Sequence, residues 1–360
     1  MPERSLLRQG LDMRLITQNS TAQPAEPASV KPTALIGSAA DTGAMLDQLP
    51  DRSGAVDLVR LIAVGAIVAG HAFTKEVTQD WLYTWHVAVF FILTGYLWKP
   101  GRALSTEVSR RAVSLGKPYV AAFAVLAVAL LLVRPDDAAG KIIRALAGGR
   151  YAQMPFVTLW FVSALFFTAV LFRLIERLPY PLQWAIGITG AAIAWTWSGP
   201  LSRTPLGIGY IATCLIYVLI GDALRRARER VTHPAMTGAA VLVLGAILVA
   251  VGWAAPLDIK LGDDGTPVFS TLASSAVSIG LILLAEAIVR PGPFSKLCTL
   301  LALPLLTVVL LHPLVLWLDI PSWAQFAIGV AIPLAIGIAA LRTPLAPWIT
   351  GQNRLRTTPA

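Results

Sequence analysis

Charge is what this sequence has least of: Asp, Glu, Lys and Arg make up 14% of its 360 residues, against roughly 25% in soluble domains. With 56% hydrophobic residues and a mean hydropathy of +0.68, a soluble globule could not hide so much apolar surface. The chain therefore reads as an integral membrane protein with the lipid bilayer as its first partner. Cysteine is scarce as well. Cys214 and Cys298 each fall inside an apolar segment, which argues for small core residues over a disulfide or a metal site. The four histidines are isolated and the carboxylates lie mostly at loops and helix ends, so no metal is expected. A GxxxxGK motif followed by Ser or Thr is missing, which speaks against an ATP-driven pump. The net charge of +9 could point to nucleic acid, but the basic residues are scattered between apolar spans without an aromatic platform, so no nucleic-acid partner is expected.

What is there begins after residue 54. Residues 1–54 are rich in Ala, Pro, Ser, Thr and Gln, with only broken apolar runs and no signal-peptide core, and read as a disordered cytoplasmic tail. Met45 is an alternative start. Ten apolar stretches follow, at about 55–73, 81–98, 117–133, 156–175, 181–197, 205–224, 235–255, 269–289, 299–318 and 321–341. The expected fold is all-α, a polytopic membrane bundle of about 10 transmembrane helices over 55–341, closed by a C-terminal tail over 342–360. The fifth and ninth stretches are the least regular, the fifth through Gly187 and Gly190, the ninth through Pro304, His312 and Pro313.

Counting Lys and Arg with the N-terminus inside puts 21 on the cytoplasmic side and 7 outside, so both termini are expected in the cytoplasm. Arg173, Arg225, Arg226 and Arg228 count among the inner loop charges. The loop 134–155 carries four of the seven outer charges and is expected to form a short interfacial helix with Ile142, Ile143 and Leu146 facing lipid.

Polar groups inside the spans are the candidates for chemistry, because a charge at mid-span costs about 2.5–3.5 kcal/mol on insertion scales. The segment DLVRLIAVGAIVAGHAF places Arg60 and His71 eleven steps apart, on one helix face and roughly 16 Å apart along the axis. Arg60 could instead snorkel to the headgroups with help from Asp57. His86 stands beside Trp81, Tyr83 and Trp85, the composition of an aromatic interface belt, which is the favoured reading of it. Glu286 with Arg290 and Asp222 with Arg226 read as i,i+4 pairs at helix ends. His312, next to Pro313, combines an imidazole with freed backbone carbonyls, an arrangement tolerated where it lines a cavity.

Asp57-x-x-Arg60, ten residues between Arg60 and His71, FFILTGYL at 90–97, and a basic stretch closing on Lys117-Pro118-Tyr119 together resemble the acyltransferase-3 family of membrane O-acyltransferases. Weaker echoes are TLWFVSALF at 158–166 and His312-Pro313-Leu314. The resemblance spans about 55–341. It implies transfer of an acyl group, typically acetyl, from cytoplasmic acyl-CoA to a hydroxyl of a sugar, glycan or glycosylated metabolite in the bacterial inner membrane. Carried over by position, Arg60 and His71 are the essential pair, with His71 catalytic. Departures from the family pattern are Thr94 where serine is usual, the extra N-terminal tail, and the lack of an extracytoplasmic domain after Arg342.

The residues suit that chemistry. An alcohol attacking a thioester needs a base for its proton, and an imidazole near pKa 6.5 matches the task. Acyl-CoA would be a co-substrate, with no permanently bound cofactor, its phosphates held by Arg110, Arg111 and Lys117; positive-inside topology explains those three charges equally well. His86, Trp160 and His312 are further candidates for substrate contact. Whether transfer is direct or through an acyl-histidine stays open. The competing class is a transporter or flippase using Arg60 and His71 as counter-ion and proton relay, although no internal repeat supports it.

Overall fold

Ser53 accepts from the Val56 N–H at 3.4 Å and Asp57 sits in the first turn, so a side-chain cap and an anion at the N-terminus start a helix where the first apolar stretch was expected. The structure, a computed structural model, describes residue 49 and residues 52–355; the expected tail lies outside them except for its last residues. That first helix is α1, Gly54–Ala72. It is followed by α2 (Glu76–Tyr83), α3 (Ala88–Tyr96), α4 (Leu104–Val133), α5 (Pro135–Ala147), α6 (Phe156–Ile175) and α7 (Tyr180–Ser202). Then come α8 (Pro205–Arg230), α9 (Pro234–Ala250), α10 (Phe269–Ile288), α11 (Pro293–Trp317), α12 (Ser322–Ala340) and the short α13 (Ala346–Ile349). Among the described residues there is no strand, only an isolated bridge between Asp258 and Asp263.

The ten apolar stretches are largely helical, and among the described residues seven helices (α1, α4, α6, α8, α10, α11, α12) are long and apolar enough to cross a membrane. The protein is a multi-pass membrane protein. Three expected spans fall outside this set. The stretch 81–98 is interrupted at residues 84–87, where the Thr84 hydroxyl donates to the Asp80 carbonyl at 2.8 Å and His86 Nδ1 bonds the Leu82 carbonyl at 2.7 Å, side-chain bonds that compete with the helical ladder. The stretch 181–197 is the kinked α7, with non-helical φ/ψ at Trp197, and α9 is 17 residues long.

Small residues let the central helices touch backbone to backbone. A Cβ on Gly95 would lie 1.9 Å from the Val218 carbonyl oxygen, and one on Gly221 would lie 2.0 Å from that of Ile92. The α3–α8 crossing thus needs glycine on both sides, as close-packed membrane helices commonly do. In α4 the chain passes through a wide π turn at Ala112–Gly116 just before Pro118, a widening that accommodates a ring with no N–H to donate to the preceding turn. Val125, Val128 and Leu132 on α4 are exposed, as expected for a lipid-facing helix. The helix α5 forms in the expected loop, with Ile143 and Leu146 exposed and Ala138 and Ala145 buried; Ile142 is only half-buried.

The loop 251–268 closes one end of the bundle. Backbone N–H groups of Leu261 and Asp263 both bond the Asp258 carbonyl at 2.9 Å. The Tyr210 hydroxyl donates to the Lys260 carbonyl at 2.7 Å, Thr213 to Asp264 at 2.9 Å, and Ser270 to the Ala255 carbonyl at 2.8 Å. Gly262, at φ +81°, lies so close to Ser198 that a Cβ would sit 2.8 Å from its carbonyl oxygen. These ties make the loop a fixed wall.

Candidate functional site

His71, near the C-terminus of α1, and His312, in the 3-10 turn of α11, are joined by a hydrogen bond of 2.9 Å between His71 Nδ1 and His312 Nε2. Their rings stack with centroids 5.1 Å apart. His312 Nδ1 lies 3.0 Å from the Val308 carbonyl. A carbonyl only accepts, so Nδ1 of His312 carries the hydrogen; with both rings neutral, its Nε2 accepts from Nδ1–H of His71. The chain of bonds leaves His71 Nε2 as a lone pair.

His71 lines a cavity of about 230 Å³, shared with Tyr83, His86, Thr158, Trp160, Asp258 and Lys260. His312 is fully buried behind His71, so it supports the ring from below. His86 is buried as well, at 3% exposure, which corrects the belt reading: Trp81 stays at the surface at 43%, while the turn at 84–87 swings Trp85 and His86 inward. Tyr83 packs on both histidines, with ring centroids 6.2 Å from His71 and 4.7 Å from His86. Of the four sequence candidates near this cavity, then, His71, His86 and Trp160 line it and His312 backs it.

Tyr83, Thr158, Asp258 and Lys260 were missed as site residues. The one signal in the sequence was that Asp258, Lys260, Asp263 and Asp264 cluster within the short loop 251–268 of a chain poor in charge. Burial lowers the Lys260 ammonium to about 8, with the Asp258 carboxylate opposing the shift, and burial raises Asp258 itself. A few residues on, burial pushes Asp264 up to about 6, against the hydrogen bond from Thr213.

Arg60 sits at the other end of α1, paired with the fully buried Asp57 at 2.5 Å; Arg52 adds a second contact to Asp57 at 3.3 Å. The same end of the bundle collects a network of charges. Arg173, expected among the loop charges, is instead buried at 4% exposure, held by Glu176 at 2.6 Å, Glu107 at 3.2 Å and the Lys99 carbonyl at 3.0 Å. Its guanidinium lies over the Trp98 ring at 4.0 Å. Asp222 binds Arg226 at 2.6 Å as expected, and Arg225 as well. Glu286 turns away from Arg290 and reaches Arg228 at 2.6 Å and the Tyr96 hydroxyl, because the α8–α10 packing offers a nearer cation.

Arg110, Arg111 and Lys117 do not converge. Arg110 is exposed, Arg111 is tied to Glu107 at 2.7 Å, and Lys117 lies over the Trp348 ring at 5.3 Å. A separate cavity of about 140 Å³ at this end is lined by Trp98, Gly101, Glu176, Arg177, Arg225 and Arg226. Among the described residues no group of three or more His, Cys, Asp or Glu could hold a metal ion.

The structure is a helical bundle with an imidazole pair at one cavity and a network of ion pairs at the far end. The family model for the acyltransferase domain of the acyltransferase-3 family matches residues 53–350, and the chain belongs to that family. It is a membrane acyltransferase. A comparison with curated proteins and one with solved structures each found no match.

Proposed function

We propose that the protein is an O-acyltransferase that carries an acyl group, acetyl in the simplest case, from cytoplasmic acyl-CoA to a hydroxyl of a sugar, glycan or glycosylated metabolite at the inner membrane of a bacterial cell. The observation that carries this reading is the bonded chain from the Val308 carbonyl through His312 to His71, which supports a basic Nε2 on a residue lining the cavity. His71 Nε2 takes the acceptor's hydroxyl proton as the oxygen attacks the thioester carbonyl. The tetrahedral intermediate collapses, the C–S bond breaks, and the His71 imidazolium returns the proton to the departing thiolate, giving an ester and free CoA. His312 keeps the ring oriented, and its Nε2 lone pair faces the charge that forms on His71, the part a carboxylate plays in serine hydrolases.

The donor enters from the arginine-rich end, which faces the cytoplasm together with both termini. Its phosphates meet cations spread over that end, with Arg110, Arg111 and Lys117 acting from separate positions, and its arm runs along α1 past Arg60 toward His71. The test uses membranes bearing wild-type protein, His71→Ala or Arg60→Ala, with radiolabelled acyl-CoA and a cell glycan and lipid extract. Label that mild base releases from the wild-type product, lost in both variants at equal expression, supports the reading; His71→Ala activity equal to wild type overturns it. Replacing Arg110, Arg111 and Lys117 together with glutamine raises the Michaelis constant for the donor, and unchanged donor kinetics removes them from the site.

A further inference from the structure

Beyond the two imidazoles, the cavity wall carries polar groups that the acyl-transfer step does not use. Thr158 is 4% exposed and lines the cavity, yet its Oγ1 has no hydrogen-bond partner among the described residues. A buried hydroxyl left in that state costs about 1–3 kcal/mol, so its placement is economical only if something else completes it. Asp258 and Lys260 enter from the loop 251–268; the Asp258 carboxylate accepts from the Leu261 N–H at 3.2 Å, and neither side chain forms an ion pair within 4 Å among the described residues. Lys260 is within electrostatic reach of the His71 ring and Asp258 of the Tyr83 hydroxyl, and both share the cavity wall with His71. Trp160 and Tyr83 add aromatic faces.

We propose that Thr158, Asp258 and Lys260 form the acceptor subsite, which binds a neutral, hydroxyl-rich ring and presents one of its hydroxyls to His71. The charge balance decides the class. One carboxylate and one ammonium cancel, so the site does not select a net charge. A carboxylate accepts from two neighbouring hydroxyls, an ammonium and a threonine hydroxyl donate to ring or hydroxyl oxygens, and aromatic rings cover the C–H face of a sugar. A simple alcohol would complete the buried Thr158 hydroxyl at best and leave the half-buried Asp258 and Lys260 without a ligand partner. The rigid loop argues the same way, since groups fixed before binding lose little entropy on binding. The acceptor then reaches His71 from the loop end and the donor from the opposite end, so the two substrates meet without sharing an entrance. This inference rests on the acyltransferase reading above.

The test measures acceptor and donor kinetics in membranes bearing wild type, Thr158→Val, Asp258→Asn, Lys260→Met and His71→Ala. The donor is labelled acyl-CoA, and the probe acceptor is a cell glycan extract, used untreated and after periodate cleavage of vicinal diols. The near-isosteric Thr158→Val and Asp258→Asn guard against misfolding, checked by gel filtration in detergent. Each subsite variant is expected to raise the acceptor Michaelis constant about tenfold or more, with donor Michaelis constant unchanged, and periodate treatment is expected to abolish acceptance by wild type. Unchanged acceptor constants in all three variants, or full acceptance of the periodate-treated extract, overturn the subsite while leaving the transferase reading intact. Full activity of His71→Ala, or no transfer by wild type from any acyl donor, overturns the transferase reading and the subsite with it.

Discussion

At the scale of single residues, the site depends on which nitrogen carries which proton. The Val308 carbonyl sets the tautomer of His312, and His312 sets that of His71, so a change at His312 acts through orientation. His71→Ala should lower kcat by about 10²–10⁴, the usual worth of a general base. His312→Ala should lower kcat with little change in either Michaelis constant, measured by the same labelled-transfer assay; an unchanged kcat would show that the ring is held in place by packing alone. Lys260 gives a pH dependence of known sign. With its ammonium lowered to about 8 by burial, the charge is present below that pH and lost as pH rises through it. Asp258 on the same loop and His71 on α1 are the titratable groups within its electrostatic reach. The acceptor Michaelis constant should therefore climb above about pH 8 in wild type and stay flat there in Lys260→Met. A parallel climb in both would assign the effect to another group.

At the scale of elements, glycine decides whether α3 can cross α8. Gly95 belongs to the FFILTGYL motif, and its worth is steric: any Cβ there meets the α8 backbone at 1.9 Å, and backbone cannot yield as a side-chain tip can. Gly95→Val or Gly221→Val should lower the midpoint of thermal unfolding in detergent and reduce activity, by an overpacking cost of about 1–3 kcal/mol or more. Thr94, one residue before Gly95, donates to the Phe90 carbonyl at 2.9 Å, a bond serine makes equally well, so Thr94→Ser should be nearly silent in the same two measurements. The periodic pattern made α1, α6, α8 and α10 legible, because a long apolar run has one cheap conformation in lipid. The break between α2 and α3 was not legible, because it turns on which carbonyls the Thr84 and His86 side chains capture.

At the scale of the whole molecule, the two ends differ in chemistry. One holds Asp57, Glu107, Arg173, Asp222 and Glu286 in ion pairs; the other holds the imidazoles and the loop wall. If the arginine-rich end faces the cytoplasm, Trp253→Cys in the exposed part of the loop should react with a membrane-impermeant maleimide on intact cells. Arg290→Cys should react only after permeabilisation. Both native cysteines are buried, so background should be low, and the reverse labelling pattern would invert the proposed paths of donor and acceptor.

The sequence by itself determined the helical membrane character, the place of most helices, and the Arg60–His71 spacing along one face, because hydropathy and the helical repeat are local properties that each segment carries alone. Only the tertiary structure decided that His71 pairs with His312, 241 positions away, that His86 turns inward, that Glu286 prefers Arg228 to Arg290, and that Asp258 and Lys260 share a cavity with the imidazole. Such contacts depend on how helices pack and how a loop is tied down, and packing is settled by steric fit between surfaces that are distant in the chain.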